Sequence, residues 1–240
     1  MIYLFDIDGT LTYPRQPIAV EFEEFFYKWM LNKKVYFVTG SDRKKVGEQL
    51  SYRILDASAG LFCSMANELY DVSPFGDKLI YANNMKIPDM LIQWLEQQVE
   101  YTDYPIKTGN HIEHRTGMIN FSVIGRYASK QERDAYQKWD NQNGERERIA
   151  AYINRKFPQL EACIGGQISI DIQEKGKNKS QASQWIRKNV GDRMHFFGDR
   201  CEKGGNDFDI VNDITEHRDG SWTNVISPQH LRAALETIEV

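Results

Sequence analysis

The 240-residue sequence contains no run of about 18 apolar residues, the length at which a helix spans a bilayer, so no membrane-crossing segment is expected. Its opening, Met1-Ile2-Tyr3-Leu4-Phe5-Asp6, lacks a basic region and turns acidic too soon for a secretory leader. A basic excess is also missing. The net charge is −4, which removes the footprint that a nucleic-acid backbone requires. Cysteine is scarce: Cys63, Cys163 and Cys201 lie far apart without a CxxC pair, so neither a disulfide frame nor a zinc site is expected. Reduced thiols of this kind fit a cytoplasmic protein, with Cys63 and Cys163 as small buried hydrophobes. His111, His114, His217 and His230 lack metal-ligand spacing with one another. No repeat of solenoid period is evident.

What is present is a strand–helix rhythm at both ends of the chain. Ile2-Tyr3-Leu4-Phe5 and Val35-Tyr36-Phe37-Val38 are short apolar runs that predict buried strands. Between them Phe22, Phe25, Phe26 and Trp29 fall at helical spacing and predict a core-facing helix. Another helix is expected from Asp42 to Leu50, capped by Ser41 or Asp42. The rhythm returns after Gly176, with a helix over 178–189, a strand at Met194-His195-Phe196-Phe197, a strand near 222–226 and a helix after Pro228. Such βαβ order implies a parallel sheet.

The middle reads differently. A helix after Pro88 carries Met90, Leu91, Trp94 and Leu95 on one face, and a hairpin spans Ile112–Arg115 and Met118–Val123 around Thr116-Gly117. One or two helices over 130–157 break near Asn143-Gly144, and the alternating charges Glu145 to Arg148 read as a solvated face. A second hairpin, Glu161–Ile164 and Gln167–Ile172, hinges at Gly165-Gly166. The expected architecture is an α/β core formed by residues 1–78 and 177–240, with an α+β cap of helix, hairpin, helix, hairpin inserted at 79–176.

Candidate chemistry gathers at strand ends, where open parallel sheets bind ligands. Asp6 and Asp8 follow the first strand, Thr39 and Ser41 the second, and Asp199, Asn206 and Asp207 the strand at 194–197, with Lys179 opening a helix. One DxD pair is a common turn feature, but two carboxylate clusters with hydroxyls and a lysine form a set. An aspartate such as Asp6 can attack phosphorus and split one hard transfer into two easier ones. A phosphoryl dianion facing carboxylates needs a cation, and Mg²⁺ suits oxygen ligands.

These residues, with Asp6-Ile7-Asp8-Gly9-Thr10 and Gly204-Gly205-Asn206-Asp207, resemble the haloacid dehalogenase-like (HAD) superfamily. Asp6 through Gln16, Gly40-Ser41-Asp42, Ile112-Glu113-His114-Arg115, Ile124-Gly125-Arg126, Glu132-Arg133 and Gly165 through Asp171 narrow this to a resemblance to the eukaryotic-type phosphomannomutases, collinear over most of the chain. The resemblance implies a Rossmann-like core and Mg²⁺ bound by Asp6, the Asp8 carbonyl and Asp199, with Asn206 and Asp207 behind them. It further implies Lys179 with a hydroxyl of Thr39 or Ser41 on the transferring oxygens, and Asp8 as acid and base. Arg115, Arg126 and Arg133 would clamp the phosphate not in transfer, since arginine suits bidentate phosphate recognition. Ser169 and Asp171 would read sugar hydroxyls, and Arg15 would join as the cap closes. The chain departs from the family at Thr39, where glycine is usual, at Ala66-Asn67-Glu68, where Glu-Asn-Gly is usual, and at His111 and His114.

The expected function is interconversion of mannose 6-phosphate and mannose 1-phosphate, primed by hexose 1,6-bisphosphate, in a homodimer formed through the cap. The rival expectations are a sugar phosphatase on the same scaffold and a non-catalytic sugar-phosphate-binding protein.

Overall fold

A computed structural model describes residues 1–238, and the chain falls into two compact units, residues 1–83 with 177 onward, and residues 84–176. The first unit opens with β1 (Ile2–Phe5), α1 (Val20–Met30), β2 (Lys34–Val38), α2 (Arg43–Gln49), α3 (Tyr52–Asp56), β3 (Gly60–Cys63), β4 (Glu68–Asp71) and β5 (Lys78–Ala82). The second contains α4 (Asp89–Tyr101), β6 (Ile112–Arg115), β7 (Met118–Phe121), α5 (Lys130–Asn143), α6 (Glu145–Lys156), β8 (Leu160–Ile164) and β9 (Ile170–Glu174). The chain then completes the first unit with α7 (Ser180–Asn189), β10 (Met194–Gly198), α8 (Phe208–His217), β11 (Gly220–Asn224) and α9 (Pro228–Glu236).

The first unit is built on a sheet of order β11-β10-β1-β2-β3-β4-β5, parallel from β11 to β3 and antiparallel across β4 and β5. Strands covered on both faces are apolar at successive positions rather than alternate ones, and β1 and β2 obey this. Phe5 and Phe37 pack with Phe22, Phe26 and Trp29 of α1 on one face. Leu4 and Val38 pack with Ile186 of α7 and Ile210 of α8 on the other. Register sets Phe5 beside both Phe197 and Phe37, so the carboxyl ends of β10, β1 and β2 finish level. The loops carrying Asp199, Asp6 and Thr39 therefore start side by side.

Strands β4 and β5 were not expected from sequence. The side chains of β5 are exposed or half-exposed, so no apolar alternation marks it. Its pairing with β4 moves residues 79–83 out of the expected 79–176 insertion, and the second unit starts at Asn84. Strand β11 covers Gly220–Asn224 rather than 222–226, because its pairing with β10 ends opposite Gly198.

The second unit has an antiparallel sheet of order β6-β7-β9-β8. Ile119, Phe121, Ile170 and Ile172 share one face and form a core with Leu91 and Leu95 of α4, Tyr136 of α5 and Ile153 of α6. The intervening side chains, among them Asn120, Asp171 and Gln173, point to the opposite face by strand alternation. Met90, expected on the buried face of α4, is exposed instead. Gly144 takes a left-handed φ of +63° between α5 and α6 and makes the expected break there. The Glu145–Arg148 segment corrects the solvated-face expectation. Glu145 and Arg146 are buried, because Tyr136 Oη donates to Glu145 (2.9 Å) and Arg146 Nε pairs with Asp140 Oδ2 (2.7 Å). Charge alternation hid a buried ion pair.

Candidate active site

Asp6 leaves β1 with its backbone N–H bonded to the Phe197 carbonyl (2.9 Å) and its carboxylate buried at the strand ends. Lys179, one residue before α7, reaches it. Its Nζ lies 2.5 Å from Asp6 Oδ1 and 2.6 Å from Asp207 Oδ1, with no exposed side-chain surface. Asp207, one residue before α8, also accepts the Arg200 N–H (3.1 Å). Carboxylate oxygens of Asp6, Asp199 and Asp207 lie within 4.8 Å of one another. Gly9 must be glycine in this packing: its φ is +90°, and a Cβ there would collide with the Asp199 carboxylate.

Three acids against one ammonium leave the cluster short of positive charge. Burial, reinforced by the neighbouring Asp207 and Asp199 charges and opposed by Lys179, holds the Asp6 carboxyl well above the usual range. Burial and the Asp207 charge push Asp199 up to about 7. Burial works against the Lys179 charge, but Asp207 and Asp6 outweigh it and raise the ammonium above its ordinary value. The set fits a hard divalent cation such as Mg²⁺, which binds oxygen donors and would relieve this repulsion. Asn206 Oδ1 adds to the fit, being buried with no hydrogen-bond partner among the described residues.

Asp8 is half-buried beside this cluster and held at three points. The Arg15 N–H (2.7 Å) and Gln49 Nε2 (2.8 Å) donate to Oδ1, and the Ser41 hydroxyl donates to Oδ2 (3.2 Å). Arg15 is exposed and left-handed, with φ at +63°. Thr39 is buried, and its hydroxyl oxygen accepts the Ser41 N–H (3.0 Å), so the two candidate hydroxyls belong to one turn.

That turn is braced by a segment whose role sequence reading missed. Ser64, Met65 and Ala66 are all left-handed, with φ of 51°, 59° and 63°. Each such residue costs roughly 1–2 kcal/mol, so three in a row persist only where their surroundings fix them. The Ser64 N–H donates to the Ser41 carbonyl (2.9 Å) and the Met65 N–H to the Thr39 carbonyl (3.0 Å). No sequence signal marks this, since none of the three is glycine.

In the second unit Glu113 sets two arginines side by side, Arg115 at 3.0 Å and Arg126 at 2.8 Å. Arg133 donates to the Arg126 carbonyl (2.8 Å) and the Ala128 carbonyl (2.7 Å). Burial, and then the Arg126 charge, lower the Arg133 guanidinium from its ordinary value, as expected for cations crowded together. Ser169 and Asp171 converge over Gly165, where a Cβ would come within 2.9 Å of Ser169 Oγ and 2.8 Å of Asp171 Oδ2. Asn120 Nδ2 donates to Asp171 Oδ1 (2.5 Å). Sequence reading gave no role to Asn120, whose partner Asp171 is brought opposite it by the pairing of β7 with β9, or to Glu113, whose second arginine, Arg126, lies in the segment after β7.

Comparison with known proteins decides the family. Residues 22–239 match the model of the family described as eukaryotic phosphomannomutase. The chain is 37% identical to a phosphomannomutase of Triticum aestivum over 218 residues, covering 88% of this chain and 85% of the relative. The chain belongs to the eukaryotic phosphomannomutase family.

A probable phosphomannomutase of Caenorhabditis elegans is 36% identical over 220 residues, covering 88% of this chain and 86% of that protein. A solved haloacid dehalogenase-like hydrolase from Bacteroides thetaiotaomicron superposes with a TM-score of 0.59 at 11% identity, covering 99% of both chains, and shares the fold. The expected phosphomannomutase resemblance and Rossmann-like HAD core are thus upheld. No helix among the described residues is long and apolar enough to cross a membrane. Cys63 and Cys201 are buried, whereas Cys163 is half-buried on β8; all three are free thiols.

Proposed function

We propose that this chain interconverts mannose 6-phosphate and mannose 1-phosphate through an aspartyl phosphate on Asp6 and a hexose bisphosphate intermediate. The observation carrying this reading is the buried Asp6–Lys179–Asp207 arrangement beside Asp199, in a chain of this family. Pure binding would not call for a buried carboxylate held ready at a strand end.

Mg²⁺, bound by Asp6, the Asp8 carbonyl and Asp199 with Asn206 and Asp207 behind, would supply the charge neutralisation that lets a carboxylate approach a phosphoryl dianion. Lys179 fixes the position of the Asp6 carboxylate, and its ammonium, with a hydroxyl of the Thr39–Ser41 turn, balances charge on the transferring oxygens. Asp6 attacks phosphorus as the bond to the sugar oxygen breaks, and Asp8 gives that oxygen its proton. In the return step Asp8 takes the proton of the accepting hydroxyl. Arg115, Arg126 and Arg133 bind the phosphate not in transfer, with Arg15 contributing from the first unit, while Ser169 and Asp171 read sugar hydroxyls. Residues 84–176 act as the cap and the remaining unit as the catalytic core. A cytoplasmic location accords with the free thiols. Self-association through the cap is checked by sedimentation.

The test is a coupled assay of both hexose monophosphates with Mg²⁺, with and without hexose 1,6-bisphosphate. Bisphosphate-dependent isomer formation supports the mutase. Net phosphate release would assign the chain as a sugar phosphatase instead. Turnover that survives Asp6→Asn would overturn the catalytic assignment.

A further inference from the structure

Gln49, the last residue of α2, directs Nε2 at Asp8 Oδ1 (2.8 Å) and at Thr12 Oγ1 (3.1 Å). A carboxylate only accepts hydrogen bonds, so the amide nitrogen must face Asp8. Thr12 in turn donates to the Ile7 carbonyl (3.3 Å), leaving its oxygen to accept from Gln49. Both amide protons are committed, and the chain of donors has one polarity. Gln49 is anchored at the backbone too, where its carbonyl accepts the Ile18 N–H (2.8 Å).

Stability gives no reason for an amide at this position. Gln49 is 1% exposed, and its Oε1 has no hydrogen-bond partner among the described residues. A buried amide oxygen without a partner is unfavourable, and a methionine of similar shape would avoid that cost. Asp8 is half-buried, so water can solvate its carboxylate without Gln49. The amide is better explained by what it does to Asp8. With the Arg15 N–H, it puts two N–H donors on Oδ1, whereas among the described residues Oδ2 meets only the Ser41 hydroxyl, which can turn to donate or accept.

We propose that Gln49 is a positioning residue that clamps Asp8 Oδ1 and thereby presents Oδ2 for proton exchange with the sugar. This rests on the reading of Asp8 as the acid–base group of the transfer. As the Asp6–phosphorus bond forms and the phosphorus–sugar oxygen bond breaks, the proton on Oδ2 passes to the sugar oxygen. When a sugar hydroxyl later takes the phosphoryl group from Asp6, its proton returns to Oδ2.

Aryl and sugar esters separate this role from a structural one, because a p-nitrophenolate leaves without needing a proton and a sugar alkoxide does not. Wild type, Asp8→Asn, Gln49→Met and Gln49→Glu are assayed on mannose 1-phosphate and on p-nitrophenyl phosphate, and their unfolding temperatures are measured. Gln49→Met is expected to lower kcat on the sugar phosphate about tenfold or more with KM within about twofold, and to lose less than about threefold on the aryl ester. Its unfolding temperature should hold or rise. Equal loss on both esters with a lower unfolding temperature would make Gln49 structural and overturn the proposal, as would no loss on the sugar ester. Gln49→Glu keeps the shape but sets a second carboxylate against Asp8; it decides by the same split should Gln49→Met fail to fold. If Asp8→Asn loses both esters equally, the acid–base reading of Asp8 falls and this inference falls with it. If Asp8→Asn splits them and Gln49→Met does not, this inference alone falls.

Discussion

At their sheets, the two units bury polar groups in opposite ways. In the first, charges are buried in loops at the carboxyl ends of parallel strands, where Lys179 is fully enclosed between Asp6 and Asp207. In the second, polar side chains are buried on the strands themselves, where Asn120 and Asp171 face each other across paired β7 and β9. The difference follows from the sheets. A parallel sheet clothed by helices on both faces leaves polar chemistry only its strand ends, whereas an antiparallel sheet with one helix-covered face can give the other to polar contacts. The first arrangement suits reaction chemistry, which needs a few charges crowded at one point. The second suits recognition, which needs hydrogen-bonding groups spread over a surface.

The sharpest challenge to this division is Asp6→Asn. Turnover should fall by roughly a thousandfold or more while circular dichroism stays native, because the proposed nucleophile is lost and the scaffold is not. Lys179→Met comes next. Removing the cation leaves two buried carboxylates facing each other, a change of the class that costs about 3–5 kcal/mol in denaturant unfolding, and activity should be lost as well. Asp171→Asn in the second unit should instead raise KM about tenfold and leave kcat within about threefold, the signature of binding without chemistry. A collapse of kcat there would dissolve the distinction between the units.

The mildest test is pH. Without metal, the native state keeps protons on Asp6 and Asp199 at pH values where the unfolded chain, with carboxyls near 3.8, has released them. The folded values are raised, so stability should fall as pH climbs above 3.8, with the Asp199 contribution lost by the time pH passes its folded value of about 7. A drop of about 5 °C in unfolding temperature across that window is expected, reduced when Mg²⁺ is added. A flat profile in chelator would mean that the carboxylates do not repel as their burial implies.

Legibility differed between the units for physical reasons. β1, β2 and β10 each hold a mainly apolar run, interrupted in β10 by His195, and lead into Asp6, Thr39 and Asp199, so both the strands and the candidate residues after them stood out in the sequence. β5 carries little buried surface and left no pattern, although it shifts the start of the second unit to Asn84. Arg146 and Glu145 looked like surface charges because alternation of sign says nothing about what lies opposite; Asp140 and Tyr136 do that in space. Gln49 was silent for the same reason, being one polar residue at a helix end whose partner is 41 positions away.

What the sequence determined alone was the alternation of strand and helix at the two ends, the interruption between them, and the presence of candidate acids at the strand ends, because periodicity and residue type are local properties. Only tertiary structure decided how these groups act on one another. It set Lys179 between two carboxylates, made Glu113 hold two arginines, stood three left-handed residues behind the Thr39–Ser41 turn and aimed an amide at Asp8. Apart from the neighbouring pair Glu113 and Arg115, these are contacts between segments separated along the chain, fixed by strand register and helix packing rather than by any local pattern.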